Sequence, residues 1–324
     1  MKKLKIVDFD CGCGGFSKGF EDSNFFEVKY NGFLNEKNLF CYNNTHSGDF
    51  ALKDTPPSDF DLAIFMPIYI SFSSNKKSVK NFLPQSFSFI KKTFPANIFF
   101  ITNQNIFPSL KKSPQVMKLS NNYPTNDIIS CFLLDLGYYV YNFVIDGANF
   151  GLPQHHYYNI YWASRTIPEN ILIKNLYGTN EKPTKTVADF LSDIYDESYL
   201  SWHIPNYNSE NICSEIKQGF GAKNTKTVSK NRGYVRLAWD KTAPSLSHDF
   251  YKTSSKSPSI HPLFNRPLTI REGARLFGLS DDFIWDNKLK NMDVALMIYN
   301  SFSPFISKFF AEKLVYLLKK YEQF

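Results

Sequence analysis

The sequence predicts an α/β protein built on a doubly wound, largely parallel sheet, with length enough for a second, smaller domain. Three observations carry this. A short apolar run, Leu4 to Phe9, feeds a glycine-rich turn, Asp10-Cys-Gly-Cys-Gly-Gly-Phe-Ser-Lys-Gly19, of the kind that opens a helix. Two acids, Glu36 and Asp49, follow in the order that a βαβαβ nucleoside pocket requires. The 324 residues, 43% of them hydrophobic, can bury one large core and a second, smaller one.

The elements follow in order. In the first turn, Gly12, Gly14 and Gly15 let the backbone approach a ligand, and the free N–H groups of a helix start favour a polar or anionic group. A tight turn without a ligand is the alternative reading. Phe33-Leu34-Asn35-Glu36 reads as the end of a second strand, roughly twenty residues further on, where an acid hydrogen-bonds a ribose diol. Gly48-Asp49-Phe50 then places a carboxylate within reach of an adenine amino group. Either acid alone reads as a solvated charge; the ordered set is more specific.

Leu62 to Phe65 is a buried strand that ends at Pro67, because proline cannot donate to the ladder. Ser71 to Lys92 carries no sharp pattern. Pro95 to Ile101 is the next buried strand and leads into Thr102-Asn-Gln-Asn-Ile106. Asp127 to Leu136 has the pattern of an amphipathic helix closed by Gly137, and Tyr138 to Ile145 follows as a strand. From Thr166 to about Val235 the composition shifts to Asn, Ser, Lys and Tyr. Lys223, Lys226, Lys230, Arg232 and Arg236 cluster there among Gly and Thr, a pattern that suits phosphate contact; a solvated face is the simpler reading. Further on, Thr269 and Glu272 are spaced as a capping box, and an apolar helix runs to Leu318.

Composition narrows the classes. The net charge of +7 is compatible with a polyanionic partner. Five cysteines give no disulfide framework, and Cys11 and Cys13 form only a C-x-C without zinc-finger partners. The pair His155-His156 lacks ordered Cys or carboxylate companions, so it is read as incidental rather than as a metal site. With no secretory leader and no twenty-residue apolar span, a reducing cytoplasmic setting is expected, without a membrane.

Several of these strings resemble the motifs of cytosine-C5 DNA methyltransferases, in family order and over nearly the whole chain. Asp8-Phe-Asp-Cys-Gly-Cys-Gly-Gly-Phe16 is similar to Asp-Leu-Phe-x-Gly-x-Gly-Gly. Pro67-Ile-Tyr-Ile-Ser-Phe-Ser73 is similar to Pro-Pro-Cys-Gln-x-Phe-Ser, and Ala148-Asn-Phe-Gly-Leu-Pro-Gln154 to Tyr-Gly-Val-Pro-Gln. Arg236-Leu-Ala-Trp-Asp-Lys-Thr-Ala-Pro-Ser245 is similar to the motif that frames the family's recognition domain. The run from Arg266 to Phe283 matches the family helix that follows, and Tyr299-Asn300-Ser-Phe-Ser-Pro304 resembles Gly-Asn-Ala-Val-Pro-Pro.

The resemblance implies a Rossmann-like S-adenosylmethionine-dependent methyltransferase sheet formed by 1–165 and 266–324, with a target-recognition domain at 166–265. It implies cofactor contacts from Asp10, Gly12, Gly14, Gly15, Phe16, Glu36, Asp49, Phe50, Pro67 and Asn300, although Asp10 stands where the family has a Phe. The base side departs further. Tyr69 takes the place of the nucleophilic Cys, Gln104 that of the proton-donating Glu, and His156 and Tyr158 those of two arginines. A phenol with a pKa of about 10 is a poor substitute for a thiolate, and glutamine transfers no proton. The sequence therefore predicts a homologue that binds S-adenosylmethionine and DNA but is inactive alone. It would serve as accessory to an active cytosine methyltransferase subunit or a cognate endonuclease in a restriction-modification system. An active cytosine methyltransferase completed by a partner chain remains the alternative.

Overall fold

The computed structural model of the chain describes residues 2–10, 12–32, 35–52, 55–66, 77–103, 127–168, 170–171, 185–194, 235–252 and 259–321. It divides into two compact units, one of 1–145, 157–180 and 300–324, the other of 146–156 and 181–299. The second takes in 146–156 and 266–299, which the motif order groups with the methyltransferase domain.

The first unit holds a six-stranded sheet. Its strands are β1 (Leu4–Asp10), β2 (Phe26–Asn31), β3 (Leu62–Met66), β4 (Asn97–Asn103), β5 (Tyr139–Asp146) and β6 (Tyr157–Ser164), in the spatial order β2-β1-β3-β4-β6-β5. β1 pairs in parallel with both β2 and β3, β3 pairs in parallel with β4, and β6 runs antiparallel to β4. Parallel neighbours need crossover connections, and α1 (Gly15–Asp22), α2 (Leu39–Thr45) and α3 (Lys77–Thr93) lie in them. The expected doubly wound, largely parallel sheet is present.

Alternation along the central strands divides the core. Val7, Phe9, Ala63, Phe65, Ile98 and Phe100 face one side, where Leu83, Phe87 and Ile90 of α3 and Phe132 of α4 (Ile128–Asp135) cover them. Phe99 points the other way and meets Phe16 and Phe20 of α1 and Phe310 of α8 (Pro304–Tyr321). Each such fully buried side chain stabilises the fold by roughly 1.5–3 kcal/mol, so the aromatic residues on both faces dominate its cohesion.

The helix closed by Gly137 that the sequence predicts is present. The Asp127 side chain caps α4 by accepting from Ser130 N at 3.3 Å, and Gly137 takes φ 81° just beyond the helix. The second unit contains the short pair β7 (Val235–Arg236) and β8 (Ser259–Ile260), with helices α5 (Ala188–Leu191), α6 (Ile270–Leu276) and α7 (Asn291–Tyr299). α6 carries the full capping box: Thr269 Oγ1 accepts from Glu272 N at 3.2 Å and Glu272 Oε2 accepts from Thr269 N at 2.8 Å. No helix of the described residues is long and apolar enough to cross a membrane.

Candidate functional site

The glycine turn joins β1 to α1. Gly14 caps the helix in the left-handed region, φ 76°, and as a glycine offers no side chain to the first-turn amides of α1. Those amides therefore suit an external acceptor. Glycine is required here for a second reason. A Cβ would fall on Nε2 of His46 and lie 2.6 Å from Cε2 of Tyr42.

Behind the turn runs a buried polar chain that no motif announces. Glu21 Oε2 lies 2.7 Å from His46 Nδ1, and His46 Nε2 is 3.4 Å from Ser17 Oγ. Ser17 Oγ is 3.3 Å from Tyr42 Oη, which donates to Asp8 Oδ2 at 2.6 Å. Burial works to raise the Glu21 pKa, but the hydrogen bond and charge of His46, together with hydrogen bonds from Val28 N and Ser47, hold the carboxyl below its ordinary range. Burial, then the Asp8 charge, pushes the Tyr42 phenol well up, so Tyr42 remains a donor.

The far end of the chain closes on the same turn. Cys13 N donates to Ser301 Oγ at 2.7 Å, and a Cβ on Gly12 would come within 2.6 Å of that oxygen and 3.0 Å of Asn300 O. The structure thus brings Gly12, Gly14, Gly15 and Asn300 together, 285 residues apart in sequence between Gly15 and Asn300. Asp10 ends β1, opposite Met66. Phe16 is spent on the core, its ring 4.8 Å from Phe302 and 5.3 Å from Phe20.

The two acids sit differently from the sequence expectation. β2 ends at Asn31, where Gly32 N donates the last ladder bond to Asp8 O at 2.8 Å, and Glu36 is an exposed residue five positions beyond the strand rather than at its tip. Asp49 is exposed and Phe50 buried, its ring edge-on to Tyr42 at 5.1 Å. Asn43 braces this corner, donating to Phe50 O and accepting from Phe50 N, both at 3.1 Å.

On the base side, Pro67, Tyr69 and Gln104 lie outside the described residues; they follow the paired strands β3 and β4. His156 is 4% exposed, with Phe277 and Tyr299 rings edge-on at 5.3 and 5.9 Å and Ser245 Oγ 3.4 Å from its Nδ1. Burial lowers its pKa to about 4 against the opposing Asp146 charge, so the ring is neutral at pH 7. Tyr158, 2% exposed, packs on Phe302 at 4.3 Å. Both positions serve packing. His155 is the exposed member of the pair, its Nδ1 2.7 Å from Asp146 Oδ2.

Lys223, Lys226, Lys230 and Arg232 lie outside the described residues. Arg236, grouped with them by the sequence, is 5% exposed. Its guanidinium donates to the carbonyls of His261 and Phe264, both at 2.9 Å, and to Asn265 Oδ1 at 2.8 Å. This is an internal brace that leaves little for a phosphate, a correction to the surface role expected of it.

Comparison with known proteins defines the class. The model for C-5 cytosine-specific DNA methylases matches residues 113–316. The chain belongs to that family. It is 24% identical over 318 residues to the type II methyltransferase M1.BsuMI of Bacillus subtilis, covering 87% of this chain and 74% of that one. To the type II methyltransferase M.DdeI of Desulfomicrobium norvegicum it is 24% identical over 383 residues, covering 96% and 88%. Among solved structures it resembles the Entamoeba histolytica methyltransferase EhMeth, with a TM-score of 0.65, 16% identity and 99% of each chain covered, a likeness of fold.

Proposed function

We propose that the chain is a degenerate cytosine-C5 methyltransferase homologue that binds S-adenosylmethionine but transfers no methyl group to cytosine by itself. The observation that carries this is His156. Cytosine carbonyl recognition in the family relies on cationic side chains here replaced by a buried neutral imidazole and a buried phenol. Tyr69 and Gln104 complete the pattern in sequence: no thiol to add to C6 and no acid to protonate the ring.

The cofactor side supports retention. The uncapped start of α1, the left-handed Gly14 and the close fit of Gly12 to Asn300 and Ser301 suit a carboxylate held by backbone amides. Asp49 would accept from the adenine amino group, with Phe50 beside it. Glu36 would have to reach back for the ribose, and Asp10 and Pro67 are assigned to the cofactor by the family motifs alone. The cofactor, when bound, supplies an electrophilic methyl group; these residues hold and orient it.

DNA contact is assigned to the 166–265 recognition segment through Lys223, Lys226, Lys230 and Arg232, and the biological role to an accessory one beside an active cytosine methyltransferase or its cognate endonuclease. Calorimetry with S-adenosylmethionine and with its demethylated product tests the binding half: saturable heat is expected, and none with either ligand contradicts it. DNA affinity that falls steeply with salt is expected of the lysine contact; a salt-independent signal contradicts that.

A further inference from the structure

At the opposite end of β1 from the glycine turn, the first residues of the chain meet the last turns of α8. They enclose a hollow of about 60 Å³ that opens to solvent, room for one side chain rather than for a whole small-molecule ligand. Its floor is apolar, made by Leu4, Phe25, Val315 and Leu318. Its rim is cationic. Lys2 and Lys3 stand on one side and Lys319 on the other, its Nζ 5.1 Å from the Phe25 ring centroid. Seven residues of extended strand, about 20 Å, separate this hollow from the cofactor turn.

Charge complementarity identifies the occupant. The ion pairs in this region, Lys5 with Asp59, Lys18 with Asp22 and Lys29 with Glu27, leave Lys2, Lys3 and Lys319 without a carboxylate partner among the described residues. Asp59 feels Lys2 only as the weakest influence on its pKa, after Lys5. Three positive charges thus flank a nonpolar floor from two sides. An acyl chain brings one charge at one end. A single-stranded nucleic acid stacks its bases on open aromatic faces, and here Lys319 lies over the single ring; a duplex backbone would leave the apolar floor unfilled. A peptide with one bulky apolar residue between acidic ones matches both the floor and the two-sided rim.

We propose that this hollow docks a short acidic segment of a partner protein, one Phe- or Leu-sized side chain entering between Phe25 and Leu318 and flanking carboxylates meeting Lys2, Lys3 and Lys319. The assignment goes beyond the methyltransferase reading and does not depend on it.

Fluorescence anisotropy of the full chain with a labelled Glu-Asp-Phe-Leu-Asp-Glu peptide tests it. Saturable binding is expected, weakened about tenfold or more by the paired substitution Lys3→Glu and Lys319→Glu and by high salt. The corresponding Lys-flanked peptide should bind only the charge-reversed protein, and the double variant should keep the wild-type thermal midpoint and cofactor affinity. No binding of the acidic peptide up to about 1 mM overturns the proposal. So does binding indifferent to the charge reversal, or tighter binding of an oligothymidylate or dodecanoate that the same substitutions abolish.

Discussion

Tyr42 Oη donates a 2.6 Å hydrogen bond to Asp8 Oδ2, and both residues are fully buried. The bond ties α2 to β1 directly beneath Gly14, so the left-handed turn rests on a polar support inside the core. Tyr42→Phe removes the donor and leaves the buried carboxylate short of one bond. A loss of about 1–3 kcal/mol in unfolding free energy is expected from denaturant titration; an unchanged midpoint would show the bond to be dispensable.

Two glycines with the same backbone sign separate strain from crowding. Gly137 has φ 81° and open space within 4 Å of where a methyl group would stand, whereas a methyl on Gly14, φ 76°, meets His46 and Tyr42. Gly137→Ala should cost about 1–2 kcal/mol, the left-handed penalty alone. Gly14→Ala adds overpacking of roughly 1–3 kcal/mol. Equal losses in calorimetric unfolding would contradict the close fit of the turn on α2.

His156 and His261 give the protein an acid-labile range. Burial lowers each to about 4, in His261 with help from Arg266 and Arg236 and against Glu272. The unfolded chain binds these protons from about pH 6.5, the folded one only near 4. Stability is therefore full above about 6.5 and falls as the pH drops toward 4, by up to about 3 kcal/mol for each histidine. Urea unfolding measured across this interval checks the slope, and His156→Leu should make it shallower. A flat profile would mean the rings are not held neutral.

Glu272 adds a second acid-sensitive contribution, from a carboxyl held below its ordinary value. Burial alone would raise its pKa, but the Arg266 fork, with bonds of 2.8 and 2.9 Å, brings it below the ordinary value. Its contribution is complete above about pH 4.5 and is lost as the pH falls through the depressed folded value. Glu272→Gln leaves Arg266 buried without its counter-charge and removes the capping carboxylate. A loss of about 3–5 kcal/mol is expected by denaturant titration at pH 7, and a loss below 1 kcal/mol would contradict the pairing.

The parts of this molecule that are legible in its sequence are governed by near neighbours. The strand-turn-helix at 4–22, the helix closed by Gly137, and the Thr269–Glu272 box are each decided within a few residues, and each is found. What the sequence hides depends on distant partners. Glu21 and His46 are 25 positions apart and Asp8 and Tyr42 are 34, so no local pattern announces their network. Arg236 reads as a surface cation because its carbonyl acceptors lie 25 and 28 residues away. Glu36 reads as a strand tip because the end of β2 at Asn31 is set by its pairing with β1, whose last partner, Asp8, lies 23 positions earlier.

The central claim is that this family member has lost transfer to cytosine while keeping the cofactor side. The most direct measurement incubates the purified full chain alone with methyl-labelled S-adenosylmethionine and unmethylated DNA, then quantifies 5-methylcytosine. The predicted result is no product above a protein-free control, in a preparation that binds the cofactor by calorimetry. Accumulation of 5-methylcytosine with the lone chain would contradict it.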